Sequence, residues 1–521
     1  MDKFYLTTAI DYVNGAPHIG HAYEKIMADV IIRHMHQRID DVYFLTGTDE
    51  HGVKIQKTAE SMGITPQQLC DENAQKFIDA WKLLDVHYDK LIRTTDPEHK
   101  KTVQKIFKKL LDKGDIYKHS YTGLYCSGCE SFLNSRELTE DGLCPNHLKK
   151  PEEIKEENYF FKLTKYKDRI IEHIKTHPKF ILPECRANEV LKQLEDIEDI
   201  SVSRTKSSVS WGIEVPEDDS QIIYVWIDAL SNYITAIGFD TKNPSETFKK
   251  FWPANIQVIG KDIIKFHSIY WIAILMALET ELPETIFGHG WITIDQSKMS
   301  KSIGNVIAPK DVIETFSLEN SDSFRYFMMV TAPTGKDGNY SDEDFKERVN
   351  ADLANNIGNL LNRTLNMLVK YFGGEIKPEF ITSKTSEIAL LADKTVQEVK
   401  LHFDNYELSD AAGKIVNFAN YINKYVSDNA PWVLAKEDKM DKCGEILYNV
   451  LNAMQYIGVL LYPYCPNISK DIMAQLSLEC NFKLENLKWE NLKQGKITDK
   501  DKIKPVFLRL DSEFATDKKK G

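Results

Sequence analysis

Two histidines around a glycine form the first pattern in the chain that suits chemistry. The segment Ala16-Pro17-His18-Ile19-Gly20-His21 places His18 and His21 three residues apart, with Gly20 between them. Each imidazole can donate a hydrogen bond to phosphate oxygens that gain charge in a transition state. Gly20 can let a flat base or a ribose approach the backbone. A loop with two surface histidines is the alternative interpretation of this segment taken alone.

A pair of lysines supplies the second pattern, far downstream. In Lys298-Met299-Ser300-Lys301-Ser302 the two lysines lie three residues apart in a polar segment. Lysine ammonium groups on a closing loop can bind a triphosphate as point charges. A lone Lys-x-x-Lys is usually a solvated surface, but its combination with the histidine segment is much rarer. We therefore predict that both segments bind the same triphosphate.

A third pattern has the spacing of a metal site. Cys126, Cys129, Cys144 and His147 form two short Cys-x-x-Cys/His turns separated by a small loop. Three thiolates and one imidazole can close a tetrahedron around zinc, and four protein ligands leave no open position for water. The sequence therefore predicts one structural Zn²⁺ rather than a catalytic one.

The elements that must position these groups follow a strand–helix rhythm. A strand is predicted over residues 3–10, an amphipathic helix over about 22–37 and a second buried strand over 41–46, as in a doubly wound nucleotide-binding fold. The histidine segment then lies at the carboxyl end of the first strand, where a helix N-terminus favours phosphate. Asp49 follows the second strand and faces the same crevice. It can hold an ammonium group or a ribose hydroxyl, or it can cap a helix.

Two further helical patterns appear downstream. Trp226, Ala229 and Tyr233 share one face of a predicted helix, and such an aromatic stripe is more often core than binding pocket. From about residue 341 the chain carries apolar residues at helical spacing over 350–372, 386–403, 408–426 and 444–461. These four stretches predict an α-helical bundle.

Composition bounds the class of protein. The 521 residues include 42% hydrophobic and 28% charged residues, which is typical of a soluble globular protein of two to four domains. A net charge of −12 argues against a general nucleic-acid binder, so an RNA partner would need local basic patches. The cysteine pattern suits a reducing compartment. Neither a signal peptide nor a membrane span is predicted, and we expect a cytoplasmic protein without membrane association.

The histidine and lysine segments together resemble the signature motifs of the class I aminoacyl-tRNA synthetases. The remaining motifs look like those of the methionyl-tRNA synthetases, and the resemblance covers nearly the whole chain. It implies a Rossmann-like α/β catalytic domain with a zinc-knuckle insertion, followed by a helical anticodon-binding domain. It also implies a reaction in which ATP, with Mg²⁺, activates L-methionine and tRNA(Met) accepts the product.

The resemblance assigns roles to individual residues. His18, His21, Lys298 and Lys301 would be catalytic. The implied ATP-binding set is His18, Gly20, His21, Gly260, Asp262, Lys298, Ser300 and Lys301. The implied methionine-binding set is Ile10, Tyr12, Asp49, Trp226, Ala229, Leu230, Tyr233, Ile263 and His267, with Asp49 on the amino group. Asn359, Arg363 and Trp432 would read the anticodon, although ordinary bundle surface is the alternative without the resemblance.

Domain boundaries follow from the same comparison of motifs. We expect the catalytic domain over 1–115 and 223–290, interrupted by the insertion with the zinc knuckle over 116–222. The lysine loop and stem-contact region cover 291–345, the anticodon-binding domain 346–510 and a tail 511–521. No dimerisation segment is recognised, so a monomer is expected.

The alternatives to this function differ from it in identifiable sequence features. Class I enzymes for valine, isoleucine or leucine carry a larger editing insertion, and a cysteine enzyme would place a metal ligand in the substrate pocket. A catalytically silent paralogue that binds RNA, and a nucleotidyltransferase with a His-x-Gly-His motif, are the remaining alternatives. The intact histidines and lysines argue against the first, and the helical bundle argues against the second.

Overall fold

The computed structural model describes residues 2–126, 131–133, 138–145, 148–295 and 306–510. The strands are β1 (Phe4–Thr8), β2 (Asp11–Tyr12), β3 (Val42–Asp49), β4 (Lys90–Arg93), β5 (Ile116–Cys126), β6 (Ser131–Leu133), β7 (Glu152–Phe161), β8 (Ile181–Leu182), β9 (Ile200–Ser201), β10 (Ser203–Thr205), β11 (Ile213–Val215), β12 (Asp218–Ile223), β13 (Ile256–Gly260), β14 (Ile286–His289), β15 (Ile292–Ile294), β16 (Gly338–Tyr340), β17 (Glu375–Ile376) and β18 (Gly495–Lys496).

The helices alternate with the strands at first and then follow one another. They are α1 (Ile19–His36), α2 (Val53–Met62), α3 (Pro66–Leu83), α4 (Pro97–Asp112), α5 (Lys167–Thr176), α6 (Glu184–Gln193), α7 (Val225–Thr235), α8 (Glu246–Phe251), α9 (Ile272–Leu278), α10 (Pro309–Thr315), α11 (Asp322–Val330), α12 (Asp342–Arg348), α13 (Asn359–Phe372), α14 (Glu387–Asp404), α15 (Leu408–Asn429), α16 (Pro431–Lys436), α17 (Met440–Leu461) and α18 (Pro466–Gln475).

The chain divides into two compact units that alternate along the sequence. The first comprises 1–17, 43–79 and 87–289, and the second comprises 18–42, 80–86 and 290–521. Within the described ranges, every helix is too short or too polar to span a lipid bilayer.

A parallel sheet forms the centre of the first unit. Its strand order is β2-β3-β1-β13-β14-β8, with β4 paired to β3. The pairings β1–β13, β13–β14, β14–β8, β2–β3 and β3–β4 are parallel. Its central strands β1 and β13 consist entirely of buried residues, as expected for a sheet covered on both faces. The predicted doubly wound α/β fold is therefore confirmed.

The segment between the strands of this sheet carries two smaller antiparallel sheets. One has the order β6-β5-β7-β9, and its β5–β7 ladder joins Ile116–Tyr125 to Glu152–Phe161. The other has the order β10-β12-β11. Antiparallel ladders replace the strand–helix rhythm in this part of the chain, which lies largely within the segment 116–222 that was expected to be an insertion.

Helices dominate the second unit. Helix α1 and helices α10–α18 belong to it, together with the short pairs β15–β16 and β17–β18. A π-helical segment, Val349–Gly358, leads directly into α13. The helical bundle predicted from the spacing of apolar residues is present, and its first predicted stretch, 350–372, consists of this π-helical segment and α13.

A buried arginine joins distant parts of the second unit. Arg325 on α11 donates to the Asp29 carboxylate at 2.5 Å, to the Pro463 carbonyl at 2.9 Å and to the Tyr464 carbonyl at 3.1 Å. It also donates to the Leu84 carbonyl at 3.1 Å. Both charged side chains of the Arg325–Asp29 pair are fully buried. A buried charge of this kind is tolerated because it is paired and its donors are used.

Candidate active site and base-reading surface

The first turn of α1 holds both signature imidazoles. His18 is the residue before the helix, and its Nδ1 accepts a hydrogen bond from the Gly20 amide at 3.1 Å. The His18 amide in turn donates to His21 Nδ1 at 3.1 Å. The two ring centroids are 3.8 Å apart. Backbone amides therefore fix the orientation of both rings.

These bonds also fix the tautomer. A neutral imidazole has one donor and one acceptor nitrogen, and in both rings Nδ1 is the acceptor. The proton must then lie on Nε2 in each neutral ring. The turn thus provides two imidazole N–H donors that are oriented by the helix start, where the partial positive charge of the helix also favours an anion.

The lysine segment lies outside the described residues. Lys298, Ser300 and Lys301 belong to residues 296–305, so their positions carry no structural statement. The chain that follows is described, and the Ile307 carbonyl accepts a hydrogen bond from the Ile19 amide at 3.0 Å. The polypeptide that leaves the lysine segment therefore returns to the first residue of α1, directly after His18.

Gly260 and Asp262 lie together at the carboxyl end of β13. Gly260 pairs with His289 in the β13–β14 ladder and begins a short 3-10 turn, Lys261–Ile263. A Cβ built on Gly260 would lie 2.7 Å from the Asp262 Oδ1 atom. A side chain at position 260 would therefore displace this carboxylate, which is exposed at the edge of the sheet.

Asp49 is the last residue of β3, and it pairs with Tyr12 of β2. The Val13 amide donates to the Asp49 carbonyl at 3.3 Å, which continues this pairing. Asp49 is 8% exposed, whereas Tyr12 is half-buried beside the Lys54 ammonium group. The carboxylate and the phenol predicted from sequence are thus brought to the same edge of the parallel sheet.

An aromatic cluster surrounds three of the other predicted pocket residues. Ile10, Trp226 and Ala229 pack in one cluster with Tyr125 and Tyr224. The Trp226 ring also stacks on Phe266, with centroids 3.5 Å apart. Phe266, Tyr125 and Tyr224 were not predicted as site residues. The cluster consists of aromatic and small apolar side chains, which suit a thioether.

The remaining predicted pocket residues lie on α7, in the 3-10 turn Lys261–Ile263 and in the π-helical segment Phe266–Trp271 that precedes α9. Tyr233 Oη and His267 Nε2 are 2.6 Å apart, and His267 Nδ1 is 3.0 Å from the Ile263 carbonyl. Because a carbonyl only accepts, the His267 proton lies on Nδ1 and the Tyr233 hydroxyl donates to Nε2. His267 and Tyr233 are buried, and Leu230 is a core residue of the first unit.

A buried carboxylate bound by two imidazoles was missed by the sequence reasoning. Asp228 Oδ2 lies 2.6 Å from His51 Nδ1, and Asp228 Oδ1 lies 2.8 Å from His99 Nε2. Burial alone would raise the pKa of Asp228, but the His51 and His99 imidazoles outweigh burial and lower the pKa to about 2. This group, the His51–Asp228–His99 network, joins the loop after Asp49 to the helix that carries Trp226 and Tyr233.

Arg204 is a second residue that was not predicted for the site. Its guanidinium carbon lies 4.2 Å from the Tyr125 ring centroid and 5.8 Å from that of Tyr224, and the residue is 1% exposed. The Tyr125 and Tyr224 hydroxyls are 3.0 Å apart. The arginine contributes a buried positive charge beside the aromatic cluster, held in part by cation–π attraction.

Half of the predicted metal set is described. Cys126 ends β5 opposite Ser131 of β6, so the two strands form a hairpin. Cys144 begins a turn in which the Leu148 amide donates to the Cys144 carbonyl at 2.8 Å. Both thiols are buried, whereas Cys129 and His147 lie outside the described residues. Two buried thiols, one at the end of β5 and one at the Cys144 turn, fit the thiolate part of a zinc knuckle.

The predicted base-reading residues lie on the helical bundle. Asn359 is exposed at the start of α13, and Arg363 lies one turn further along the same helix. Trp432 is 38% exposed on α16, which begins after Ala430 in a left-handed conformation. Asn359 and Trp432 are thus exposed, whereas Arg363 is half-buried. Indole rings, side-chain amides and guanidinium groups are the groups with which proteins stack and hydrogen-bond unpaired RNA bases.

Comparison with known families covers both parts of the chain. Residues 4–153 and 147–365 match the family described as tRNA synthetases class I (M). Residues 378–501 match the anticodon binding domain of methionyl tRNA ligase. The second match lies within the segment 346–510 that was expected to bind the anticodon.

Individual relatives agree with these matches. A methionine–tRNA ligase of Clostridium perfringens is 45% identical over 98% of this chain and 78% of its own length. Among solved structures, the Mycobacterium tuberculosis methionyl-tRNA synthetase in complex with methionyl-adenylate is similar with a TM-score of 0.90 and 37% identity, over 95% of this chain and 98% of the other. The free form of that enzyme is similar with a TM-score of 0.85 and 34% identity, over 98% and 99%. The resemblance inferred from the motifs is confirmed, and the chain belongs to the methionine–tRNA ligases, the methionyl branch of the class I aminoacyl-tRNA synthetases.

Proposed function

We propose that this chain activates L-methionine with ATP and then transfers the methionyl group to the 3′ end of tRNA(Met). In the first step a methionine carboxylate oxygen attacks the α-phosphorus of ATP. The bond from that phosphorus to the bridging oxygen breaks, methionyl-adenylate forms and pyrophosphate leaves. The observation that best supports the proposal is the hydrogen bond from the Ile19 amide to the Ile307 carbonyl, because it brings the chain that follows the lysine segment to the helix start beside His18.

His18 and His21 would stabilise the α-phosphate during this step. Their Nε2–H groups can donate to oxygens that gain charge as the new bond forms, and the Gly20 and His18 amides already hold the rings in place. Pre-oriented donors need no reorganisation when the charge develops. Neither histidine has to form a covalent intermediate, because positioning and charge stabilisation are sufficient for this class of reaction.

Lys298 and Lys301 would hold the leaving pyrophosphate, with Ser300 as a neighbouring donor. Mg²⁺ would arrive with ATP and neutralise part of the phosphate charge. Gly260 and Asp262 would contribute to ATP binding at the edge of the sheet, where nucleotides bind in parallel α/β folds. The close approach of Gly260 to the Asp262 carboxylate supports a role for the glycine in keeping that carboxylate in place.

The amino acid would bind at the edge of β3 and on the aromatic cluster. Asp49 would accept hydrogen bonds from the α-ammonium group, with Tyr12 beside it. Ile10, Trp226, Ala229, Leu230, Tyr233, Ile263 and His267 would form the wall around the side chain. Contacts between the methionine sulfur and aromatic rings would each contribute about 0.3–1.5 kcal/mol.

The RNA-side proposals concern the knuckle and the bundle. Zn²⁺ bound by Cys126, Cys129, Cys144 and His147 would fasten two turns of the insertion together, without taking part in the reaction. Asn359, Arg363 and Trp432 would read the anticodon of tRNA(Met). We also propose that the protein works as a monomer in the cytoplasm, which light scattering and cell fractionation would test.

The decisive experiment is methionine-dependent ATP–pyrophosphate exchange by two single variants. His21→Asn and Lys301→Ala are expected to lower the exchange rate about 10²–10³-fold, the usual loss when one donor to a developing charge is removed. Methionine binding, measured by calorimetry, should survive in both. Matched controls are His177→Asn and Lys310→Ala, which change exposed residues of the same types. Near-normal exchange by either test variant would refute the proposed role of that residue.

A further inference from the structure

A chain of side-chain amides joins α15 to the π-helical segment Val349–Gly358 and ends on Arg363 of α13. The Arg363 guanidinium donates to Asn423 Oδ1 at 2.9 Å. Asn423 Nδ2 donates to Asn356 Oδ1 at 2.6 Å and to the Ala419 carbonyl at 3.0 Å. Asn356 Nδ2 then donates to Asn420 Oδ1 at 2.9 Å. We call Arg363, Asn423, Asn356 and Asn420 the amide ladder.

Arg363 determines the orientation of each side-chain amide in the amide ladder. A guanidinium has only donors, so Asn423 must present its oxygen to Arg363 and its nitrogen to the other side. Asn356 must then accept from Asn423 through its own oxygen and donate onward to Asn420. Amide orientations that are otherwise interchangeable are thereby fixed in sequence. Each side chain has one satisfactory orientation, and Asn356 is 8% exposed, so little water is present to compete.

The hydrogen bonds of Arg363 itself are incomplete within the described part of the chain. Its Nε is buried and has no hydrogen-bond partner there. Partial burial also lowers the pKa of the guanidinium from its ordinary value. Because Nη2 is held by Asn423 and Nε is buried, Nη1 is the nitrogen of the fork that is left to donate to acceptors on a ligand.

We propose that Asn423 is a positioning residue for anticodon recognition, holding the Arg363 guanidinium in the orientation in which it binds a base of the anticodon. This inference rests on the proposed role of Arg363. Asn423 acts through Arg363 and does not touch the RNA. Holding the fork in advance reduces the side-chain entropy that is lost when the tRNA binds.

The test compares three variants in tRNA charging. Asn423→Ala removes the acceptor and is expected to lower kcat/KM for tRNA(Met) about tenfold, as for loss of one hydrogen bond to a charged group. Asn423→Asp keeps an acceptor for Arg363 while placing a carboxylate against Asn356 Oδ1. Charging should therefore survive in Asn423→Asp to within about threefold, because the bond to Arg363 is retained. Asn417→Ala is the matched control, since Asn417 is exposed on the same helix and makes no side-chain hydrogen bond within the described ranges.

A double-mutant cycle separates positioning from general stability. If Asn423 acts only through Arg363, Asn423→Ala adds no further loss to an Arg363→Ala variant. Discrimination between tRNA(Met) and the same tRNA with one changed anticodon base should fall in Asn423→Ala. Methionine-dependent ATP–pyrophosphate exchange should be unchanged in Asn423→Ala, Asn423→Asp and Asn417→Ala, which confirms that these variants fold.

The outcomes distinguish this inference from the function on which it rests. Normal charging by Arg363→Ala would refute the anticodon role of Arg363 and the inference with it. Impaired charging by Arg363→Ala combined with normal charging by Asn423→Ala would overturn the inference alone. Additive losses in the double variant, or a larger loss in Asn423→Asp than in Asn423→Ala, would also overturn it, because either result indicates a structural role.

Discussion

Replacing Asp228 with asparagine tests the buried His51–Asp228–His99 network most directly. The carboxylate accepts a hydrogen bond from each imidazole, one on each oxygen, at 2.6 and 2.8 Å. An amide keeps the shape of the side chain but offers one oxygen and one nitrogen. One imidazole would then face the amide nitrogen instead of an oxygen, so its buried N–H would lose its acceptor.

The expected loss of folding stability in Asp228→Asn is the sum of two contributions. Lowering the pKa of Asp228 from 3.8 to about 2 corresponds to about 2 kcal/mol of folding free energy, at about 1.4 kcal/mol per tenfold change in proton affinity. Leaving a buried donor unsatisfied costs about 1–3 kcal/mol more. Asp228→Asn should therefore destabilise the protein by about 3–5 kcal/mol, a range typical for breaking a buried charged pair.

The direction in which the pKa of Asp228 is shifted decides how its contribution to folding stability changes with pH. A carboxyl whose pKa is lower in the folded protein contributes its full stability above its unfolded value of 3.8 and loses it as the pH falls from there toward about 2. Calorimetric melting of the wild type and of Asp228→Asn at pH 7, 5 and 4 should therefore give nearly the same difference at pH 7 and 5. The difference should begin to shrink only near pH 4.

Asp240→Asn provides the matched control. The pKa of Asp240 is also about 2, because Lys105 and two backbone amides bind the carboxylate, but this carboxylate lies at the surface. Loss of such a surface ion pair costs at most about 1 kcal/mol. A loss in Asp228→Asn no larger than in Asp240→Asn would refute the reasoning. A loss that fades between pH 7 and pH 5 would also refute it, because a group other than Asp228 would then be titrating.

The same variant should affect substrate binding, since α7 carries both Asp228 and residues of the proposed methionine wall. We expect the KM for methionine in ATP–pyrophosphate exchange to rise about tenfold or more, while the KM for ATP changes little. A normal KM for methionine in a destabilised variant would show that the network supports the fold but does not position the wall.

Three further substitutions probe other parts of the molecule. Tyr233→Phe removes the hydroxyl that donates to His267 Nε2, so the KM for methionine should rise several-fold in the exchange assay, and an unchanged KM would contradict the pocket assignment. Gly290→Ala would place a Cβ 2.1 Å from the Lys336 carbonyl oxygen, so we expect it to lower the free energy of unfolding by about 1–3 kcal/mol. Gly413→Ala, whose Cβ would meet nothing within 4 Å, is the control and should leave stability unchanged or raise it. Equal melting temperatures of the two variants would count against this prediction. Cys126→Ser should lower the zinc content of the protein, measured by mass spectrometry. The control Cys185→Ser changes an exposed thiol and should leave the zinc content unchanged. Equal zinc contents in the two variants would exclude Cys126 as a ligand.

Much of the fold could be predicted because its signals are local. Apolar strands followed by polar loops predict a parallel sheet, and the parallel pairing of β2 with β3, which joins Tyr12 to Asp49, agrees with that prediction. The apolar spacing after residue 341 likewise predicts a bundle. In α1 the pattern predicted one apolar face, yet Asp29 and Arg33 are buried as well. The charged side chains of that helix are buried because each has a buried partner, which periodicity along one helix does not reveal.

The missed site residues depend on contacts between distant segments. His51, His99 and Asp228 are separated by 48 and 129 positions along the chain, and only the packing of three elements brings them together. One sequence feature could have indicated the role of Asp228: it is an acidic residue within the apolar run of α7. A carboxylate in such a run is buried only if it has a buried partner. Tyr125 and Arg204 lie near the edges of the insertion, where the register of the antiparallel sheets decides which side chains meet.

Each of the two units is built from segments that alternate along the sequence, and this limits how fragments of the protein can be designed. Arg325 is satisfied by Asp29 and by the carbonyl of Leu84, both of which precede the long C-terminal part of its unit by hundreds of positions. A recombinant piece starting at Gly290 would retain the arginine and lose these two partners, leaving a desolvated cation in its interior. A stable RNA-binding module from this protein must therefore include two short grafted stretches, 18–42 and 80–86, or replace Arg325 with an apolar side chain of similar volume.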